Sequence, residues 1–437
     1  MNASSLIDLW DRRLAGRSAP ALLAPDGSVL RTWDGIEAEA RLLENRLGAA
    51  ASPVLLRLPN HPSFPAALLA AWRCRRAVVL VDAGLGASAV EEIARRTGAG
   101  VEVSCEREGL CFETLPGGEA PPDGVCLFKV TSGTTSLPQV VPFRAGHLLA
   151  DCRNICRTMG LTAADRNFGV VAFTHSYGFS NLILPLLCEG IPLVVSDDAL
   201  PRAVQAGLLQ TGATVLPLVP AMFRALLAVE ELPATLRLCI SAGAPLDAGM
   251  AAEFRRKFGR KIHSFYGASE CGGICYDGSG DEVAETGFVG RPMDGVRIEE
   301  VGEGRIRIFS EAVALEGGVF EPSDLLKESE AGFRIVGRVA DVINVAGKKV
   351  SPGEVETVLL AMPGVREAVV LGVGRPPHGE RVAALVVAEG PLEAEQIRSF
   401  CAQHLAGWQV PREVRFVEEI PVNARGKVSR RDLAALF

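Results

Sequence analysis

Lys129-Val130-Thr131-Ser132-Gly133-Thr134-Thr135-Ser136-Leu137-Pro138-Gln139 is the stretch on which the reading of this 437-residue chain turns. An apolar run over 125–130 leads into it and a second apolar run follows, so it reads as a loop joining two strands. Successive hydroxyls and glycine amides in such a loop can wrap an anionic phosphate chain, since each offers a donor and none adds negative charge. It is not a Walker loop, because the required Gly-Lys-Ser/Thr ending is absent. A plain polar turn is the alternative for an isolated Ser-Gly-Thr-Thr, and the surrounding chain has to separate the two.

Outward from the loop, short apolar runs alternate with helical patterns. Strands are expected over 54–58, 77–81, 125–130, 170–173, 192–195, 214–219 and 236–240, and helices over 64–72, 145–159, 220–228 and 247–258. Continuous apolar strands separated by helices indicate an α/β protein whose mostly parallel sheets are covered on both faces. From 287 to 336 the pattern changes to short strands and Gly-rich turns, a small barrel-like segment. After Ala340 a compact α+β pattern follows: a helix over 352–362, strands over 365–373 and 382–387, a helix over 392–405 and a strand over 414–417. The expected organisation is a large N-terminal domain, 1–338, and a small C-terminal domain, 339–437, joined by a hinge.

Composition removes several function classes. A net charge of −7 argues against a nucleic-acid partner, which would call for a basic face. Asp8, Asp11, Arg12 and Arg13 interrupt the first eighteen residues, leaving no signal-peptide core. The most apolar stretch, 179–195, is broken by Glu189 and two prolines and is too short to span a bilayer. The eleven cysteines are scattered; Cys152/Cys156 and Cys271/Cys275 are close pairs, but neither has a second pair at zinc spacing. Free thiols in a reducing compartment, and hence a cytoplasmic protein, are expected.

Further motifs lie downstream in order: Ser241-Ala242-Gly243-Ala244-Pro245-Leu246, Ser264-Phe265-Tyr266-Gly267-Ala268-Ser269-Glu270, Pro322-Ser323-Asp324, Gly337-Arg338-Val339-Ala340-Asp341, and Pro421-Val422-Asn423-Ala424-Arg425-Gly426-Lys427. With the loop they resemble the adenylate-forming superfamily of acyl- and aryl-CoA synthetases, peptide-synthetase adenylation domains and luciferases. The resemblance implies ATP-dependent activation of a carboxylic acid to an acyl-AMP, followed by transfer to a thiol. Thr131, Ser132, Gly133, Thr134 and Thr135 would hold phosphates. Gly243, Ala244 and Pro245 would lie along the adenine, where small residues let a flat ring approach the main chain. Tyr266, next to Gly267, would pack on that ring, and Ser269 would contact the α-phosphate. Glu270 would ligate Mg²⁺, a hard cation that prefers oxygen. Asp324 would accept from the ribose hydroxyls, with Arg338 as a further ribose or phosphate contact. Lys427 would be the catalytic lysine, neutralising charge as one anion attacks another. Gly347 would line the tunnel for coenzyme A or for the phosphopantetheine of an acyl carrier protein. Lys348 and Lys349 could meet that acceptor, although paired lysines in a turn are more often simply solvated.

Three departures accompany the resemblance. Ser136 stands where the superfamily usually has Gly, and Gln139 where it has a lysine for the β- and γ-phosphates. A neutral amide donates hydrogen bonds but supplies no charge, so weaker ATP binding or compensation by Arg144 is expected. Ala340 stands at the usual acidic hinge position, which need not be any particular residue. For the acyl group, the segment Phe173-Thr174-His175-Ser176-Tyr177-Gly178-Phe179 is the expected pocket wall, with Met222, Phe223, Cys271, Gly272 and Gly273 nearby. His175 replaces the aspartate of amino-acid-activating relatives, and a neutral imidazole is a poor anchor for an ammonium group, so an aryl or fatty carboxylate is favoured. A satisfied structural histidine is the equal alternative. Two rivals stand beside this reading. One is a dinucleotide enzyme built on Gly84-Leu85-Gly86-Ala87, better explained as a strand-to-helix turn. The other is a binding scaffold with decayed catalysis.

Overall fold

The computed structural model describes residues 4–437 apart from 49, 107–108, 119, 132–138, 282, 284, 346–347, 375–379 and 422–427, with the backbone alone for 4, 131, 340 and 431. Contacts divide the chain into a larger unit, Met1–Glu299 with Arg307–Phe320, and a smaller one, Glu300–Ile306 with Glu321–Phe437.

In the larger unit the apolar runs become two sheets. The first runs Phe288–Pro292, Gly272–Tyr276, Ile262–Ala268, Leu238–Ser241, Val215–Leu218, Asn167–Gly169, Leu193–Val195, Pro20–Leu23 and Val29–Thr32. Its strands are parallel from Ile262–Ala268 across to Pro20–Leu23, and antiparallel outside that block. The second runs Gly109–Thr114, Val101–Glu106, Val54–Arg57, Val78–Leu80, Val125–Thr131 and Gln139–Arg144. Its inner strands are parallel and each edge is an antiparallel hairpin. Strands such as Val54–Arg57 and Val215–Leu218 are covered on both faces, which is why they read as unbroken apolar runs. The helix Ala145–Met159 buries Leu148, Cys152, Ile155 and Met159 on one face and stops at Gly160, whose φ of 60° suits the left-handed cap.

One expected strand is displaced. The pairing residues are Asn167–Gly169, not 170–173. Val170, Val171 and Phe173 are buried, but their backbone is served by a side chain: the Asn60 amide donates to the carbonyls of Gly169, Val171 and Ser196 and accepts from the Phe173 amide. An apolar run therefore leaves the sheet without orphaned polar groups.

The smaller unit holds a sheet of Val365–Val373, Arg381–Ala388 and Glu413–Phe416, with helices Pro352–Leu360 and Ala394–His404. Val350, Val355, Leu359, Val370, Val386, Ile397 and Cys401 form its core. The hairpin Asp324–Ser329/Gly332–Arg338 clusters with this unit. Among the described residues no helix is long and apolar enough to cross a membrane.

Candidate active site

In the larger unit, the segments singled out in the sequence leave the carboxyl ends of neighbouring parallel strands, the edge where open α/β sheets place their ligands. Ser241 lies opposite Leu218 on one side and Ser264 on the other. Gly243 and Tyr266 therefore each sit two residues beyond a matched pair. Gly243 has φ of +85°, a conformation that disfavours any side chain, and Gly243, Ala244 and Pro245 are exposed. Tyr266 beside them is buried. Exposed, unencumbered main chain next to an aromatic ring is what a flat heterocycle requires.

Strand Ile262–Ala268 then turns through Ser269–Cys271 into Gly272–Tyr276. The turn is tied down at several points. The Ser176 hydroxyl donates to the Ser269 hydroxyl at 2.8 Å. The Ala314 amide donates to the Glu270 carbonyl at 2.9 Å, and the Cys271 amide to the Ala268 carbonyl at 3.3 Å. Past the turn, the Gly273 amide donates to Asp151 Oδ1 at 3.0 Å. Gly272 has φ of +71°, and a Cβ there would lie 2.0 Å from that same oxygen. A Cβ on Gly267 would lie 2.7 Å from the Gly272 carbonyl, so both glycines are required by close approach. The Glu270 carboxylate is half-buried and has no ion-pair partner among the described residues. Cys271 is buried, and burial pushes its thiol well above the ordinary value, so it serves as a small apolar wall and not as a nucleophile.

The expected acyl wall is helical from Ser176 onward, with a π-helical stretch Phe179–Ile183, a feature that recurs at functional sites. His175 is mostly exposed, and its Nε2 lies 2.8 Å from Asp82 Oδ2. Asp82 also accepts from the Gly84 amide, which makes the Gly84–Gly86 segment a strand-to-helix turn into Ala87–Thr97. Tyr177 stacks on Phe265 at 5.8 Å and donates to the Ile240 carbonyl. Phe179 is fully buried. Phe223 turns away to pack edge-on against Phe254 in a second core cluster, so it belongs to the core and not to the acyl wall.

The Thr131 side chain and the loop 132–138, with Ser132, Gly133, Thr134, Thr135 and Ser136, lie outside the described residues. The flanking hairpin is described, and its register corrects one expectation. Thr131 faces Gln139 at the loop end, while Arg144 faces Val125 at the opposite end. Five steps along the strand separate Gln139 from Arg144, about 17 Å at ~3.4 Å per residue. Arg144 instead donates to the Asp123 carbonyl, and it does not replace the missing lysine. A different cation lies on this hairpin. Lys129 is buried at 1% exposure, between the rings of Phe143 and Phe179, and donates to Ser180 Oγ at 3.3 Å. Ser180 donates in turn to Asp151 Oδ2 at 2.6 Å. Burial pulls the Lys129 ammonium below its ordinary value, with Asp151, Cys271 and Glu270 opposing that shift. Asp82, Asp151 and Ser180 belong to no motif; a lysine inside an apolar strand was the visible signal.

The smaller unit carries the remaining candidates. Asp324 and Arg338 face each other across a hairpin, Arg338 Nε donating to Asp324 Oδ1 at 3.0 Å. Ala340 lies in a short 3₁₀ turn, Val339–Asp341. Arg430 bonds Asp341 and Glu356, each at 2.8 Å, and the Val370 carbonyl at 2.9 Å. Lys348 sits 3.5 Å over the Trp408 ring, and Lys349 pairs with Glu303. Gly347 and Lys427 lie outside the described residues.

The family described as AMP-binding enzyme matches residues 105–307, and the family described as AMP-binding enzyme C-terminal domain matches 354–427. A feruloyl-CoA synthase of Amycolatopsis sp is 25% identical, with 98% of each chain covered. A 3,4-dihydroxybenzoate–[aryl-carrier protein] ligase of Bacillus anthracis is 28% identical over 70% of this chain and 72% of its own. The crystal structure of ATP-bound MatB from Rhodopseudomonas palustris superposes with a TM-score of 0.85 at 22% identity, covering 100% of this chain and 99% of that one. At that identity the superposition speaks for the fold, a large N-terminal and a small C-terminal domain.

Proposed function

The chain belongs to the adenylate-forming superfamily of AMP-binding enzymes, and from that premise we propose that it activates an aryl or fatty carboxylic acid and hands it to coenzyme A. It is an AMP-forming acid–thiol ligase, with ATP and Mg²⁺ as its cofactors. The observation that carries the reading is the shared carboxyl edge. The exposed Gly243–Pro245 backbone and Tyr266 sit at matched levels of neighbouring strands, with Tyr266 three residues before the pinned Ser269–Glu270 turn.

On this reading Tyr266, Gly267 and the Gly243–Pro245 backbone orient the adenine, Asp324 and Arg338 the ribose, and the Ser269 hydroxyl the α-phosphate. Thr131–Thr135 receive the outer phosphates. Glu270 fits Mg²⁺: it is a half-buried carboxylate with no ion-pair partner among the described residues, which also hold no group of three candidate metal ligands. Such a site matches a cation that keeps most of its shell as phosphate and water. Bound there, Mg²⁺ neutralises phosphate charge. Lys427 shields the substrate carboxylate as its oxygen forms a bond to the α-phosphorus and the bond to pyrophosphate breaks. In the second half-reaction the thiolate sulfur bonds the acyl carbon, and AMP leaves with the former carboxylate oxygen. Gly347 would line the path of the thiol, and the domain 339–437 would turn about Ala340 between the two steps.

His175 and its partner Asp82 support a substrate without an α-amino group, because the carboxylate that could hold an ammonium is already engaged. Phe179, Cys271 and Gly272 would back the acyl pocket. Eleven unpaired cysteines support a cytoplasmic location. A carrier protein is the second acceptor to consider, favoured by the exposed Lys348 and Lys349 on the smaller unit. Acid-dependent pyrophosphate release, screened over aryl and fatty acids with coenzyme A or a phosphopantetheinylated carrier protein, tests the proposal. Turnover with some acid is expected. Nucleotide binding without turnover on any acid sinks it in favour of a binding scaffold.

A further inference from the structure

Lys129, Ser180 and Asp151 come from three separate parts of the chain, and each is at most 2% exposed. A buried charge is costly unless it is paired and hydrogen-bonded. Here the ammonium meets Ser180 and two aromatic faces, and the carboxylate accepts from Ser180 and from the Gly273 amide. A network needed only to brace the sheet could close on itself. This one instead ends on the backbone of Gly273, three residues past Glu270, with Gly272 pressed so close to Asp151 that no side chain fits. Its other end is Lys129, two residues before Thr131 on the strand that leads into the Thr131–Thr135 segment.

The helical run 176–189 reaches this turn twice, once directly and once by way of Asp151. Ser176 and Ser180 are four residues apart, the spacing that puts side chains on one face of a helix. Ser176 reaches Ser269 at 2.8 Å, while Ser180 stands between Lys129 and Asp151. The turn that bears the α-phosphate and metal candidates is thus held at its start by Ser176 and at its end by Asp151. Ser180 ties that end to the strand entering the phosphate loop.

We infer that Lys129, Ser180 and Asp151 are positioning residues that set the Ser269–Gly273 turn for binding Mg²⁺ with ATP. The inference rests on the proposed role of Glu270 in holding Mg²⁺, and the hydrogen bonds of the network reach that residue through the backbone of the turn. Partners of this kind behind a metal ligand typically matter about 10- to 100-fold in metal affinity.

The test is calorimetric titration of the full chain with ATP, once with Mg²⁺ and once with EDTA. The proteins are the wild type, Ser180→Ala, Ser180→Thr, and the paired Lys129→Met/Asp151→Asn, which removes both charges together and so leaves neither orphaned. Ser180→Ala and the paired variant should lose roughly tenfold or more in affinity for the Mg²⁺ complex and little for metal-free ATP. Ser180→Thr, which keeps the hydroxyl, should retain the wild-type preference. Equal losses with and without Mg²⁺, or no loss, overturn the inference, because a merely structural role would not discriminate between the two ligands. Should one variant fail to fold, the other still decides. Binding needs no turnover, so a wild type that binds Mg²⁺-ATP but activates no acid defeats the proposed reaction and leaves this inference standing.

Discussion

The Ser269–Gly273 turn of the larger unit and the Asp324–Asp341 region of the smaller unit carry comparable sets of candidate residues, but they are anchored in different ways. The first is fastened by hydrogen bonds that are partly or fully buried: Ser176 to Ser269, the Gly273 amide to Asp151, the Ala314 amide to the Glu270 carbonyl. The second is fastened by ion pairs at least partly open to water: Arg338 with Asp324 and Arg430 with Asp341. Buried polar networks are rigid because each lost partner leaves an unsatisfied group, whereas exposed ion pairs contribute about 0–1 kcal/mol and exchange readily with water. On the proposed reading, a turn that receives ATP benefits from the first kind of anchoring. On the same reading, a domain that delivers Lys427 for one step and Gly347 for the next benefits from the second.

The sharpest way to separate the two regions is to remove the one side chain of the smaller unit assigned to the reacting atoms. Lys427→Ala should reduce adenylation roughly 100- to 1,000-fold, the scale for losing a preorganised charge-stabilising donor, while the thermal midpoint stays put. A comparable fall in stability would make Lys427 structural. Next is Gly272→Ala. Its φ of +71° and the clash with Asp151 should destabilise the larger unit by about 2–5 kcal/mol, combining the left-handed penalty with overpacking. Denaturant unfolding checks this, and a neutral result would show that the turn yields where it is described as pinned. Gln139→Lys restores the missing charge and should tighten ATP binding by up to about tenfold, the worth of one charge-assisted hydrogen bond. No gain would mean that the outer phosphates do not lie at this end of the hairpin. Lys349→Ala, which breaks an exposed pair, should change stability by no more than about 0.5 kcal/mol, and salt should erase even that.

Legibility in the sequence followed the length of the local signal. The parallel strands announced themselves as unbroken apolar runs, and the Tyr266–Glu270 and Ser241–Leu246 segments as continuous motifs that emerge side by side. The strand expected at 170–173 misled because burial looks the same whether the backbone is satisfied by a neighbouring strand or by Asn60, more than a hundred residues away. Arg144 misled because proximity in sequence does not reveal which end of a hairpin a residue occupies. Asp151 and Ser180 were invisible singly: an acidic residue in a helix and a serine beside Phe179 acquire meaning only once tertiary packing brings them to Lys129 and Gly273. Asp82, 93 residues before its partner His175, was hidden for the same reason.

The central claim is that a carboxylate attacks the α-phosphorus of ATP, and isotope transfer tests it most directly. The full protein is incubated with ATP, Mg²⁺, an acid identified in the substrate screen and carrying ¹⁸O in its carboxylate, and coenzyme A; the AMP is then isolated and weighed by mass spectrometry. The expected product is AMP bearing one heavy oxygen, formed in step with thioester. Label in inorganic phosphate, or unlabelled AMP accompanying thioester formation, would contradict an acyl-adenylate intermediate.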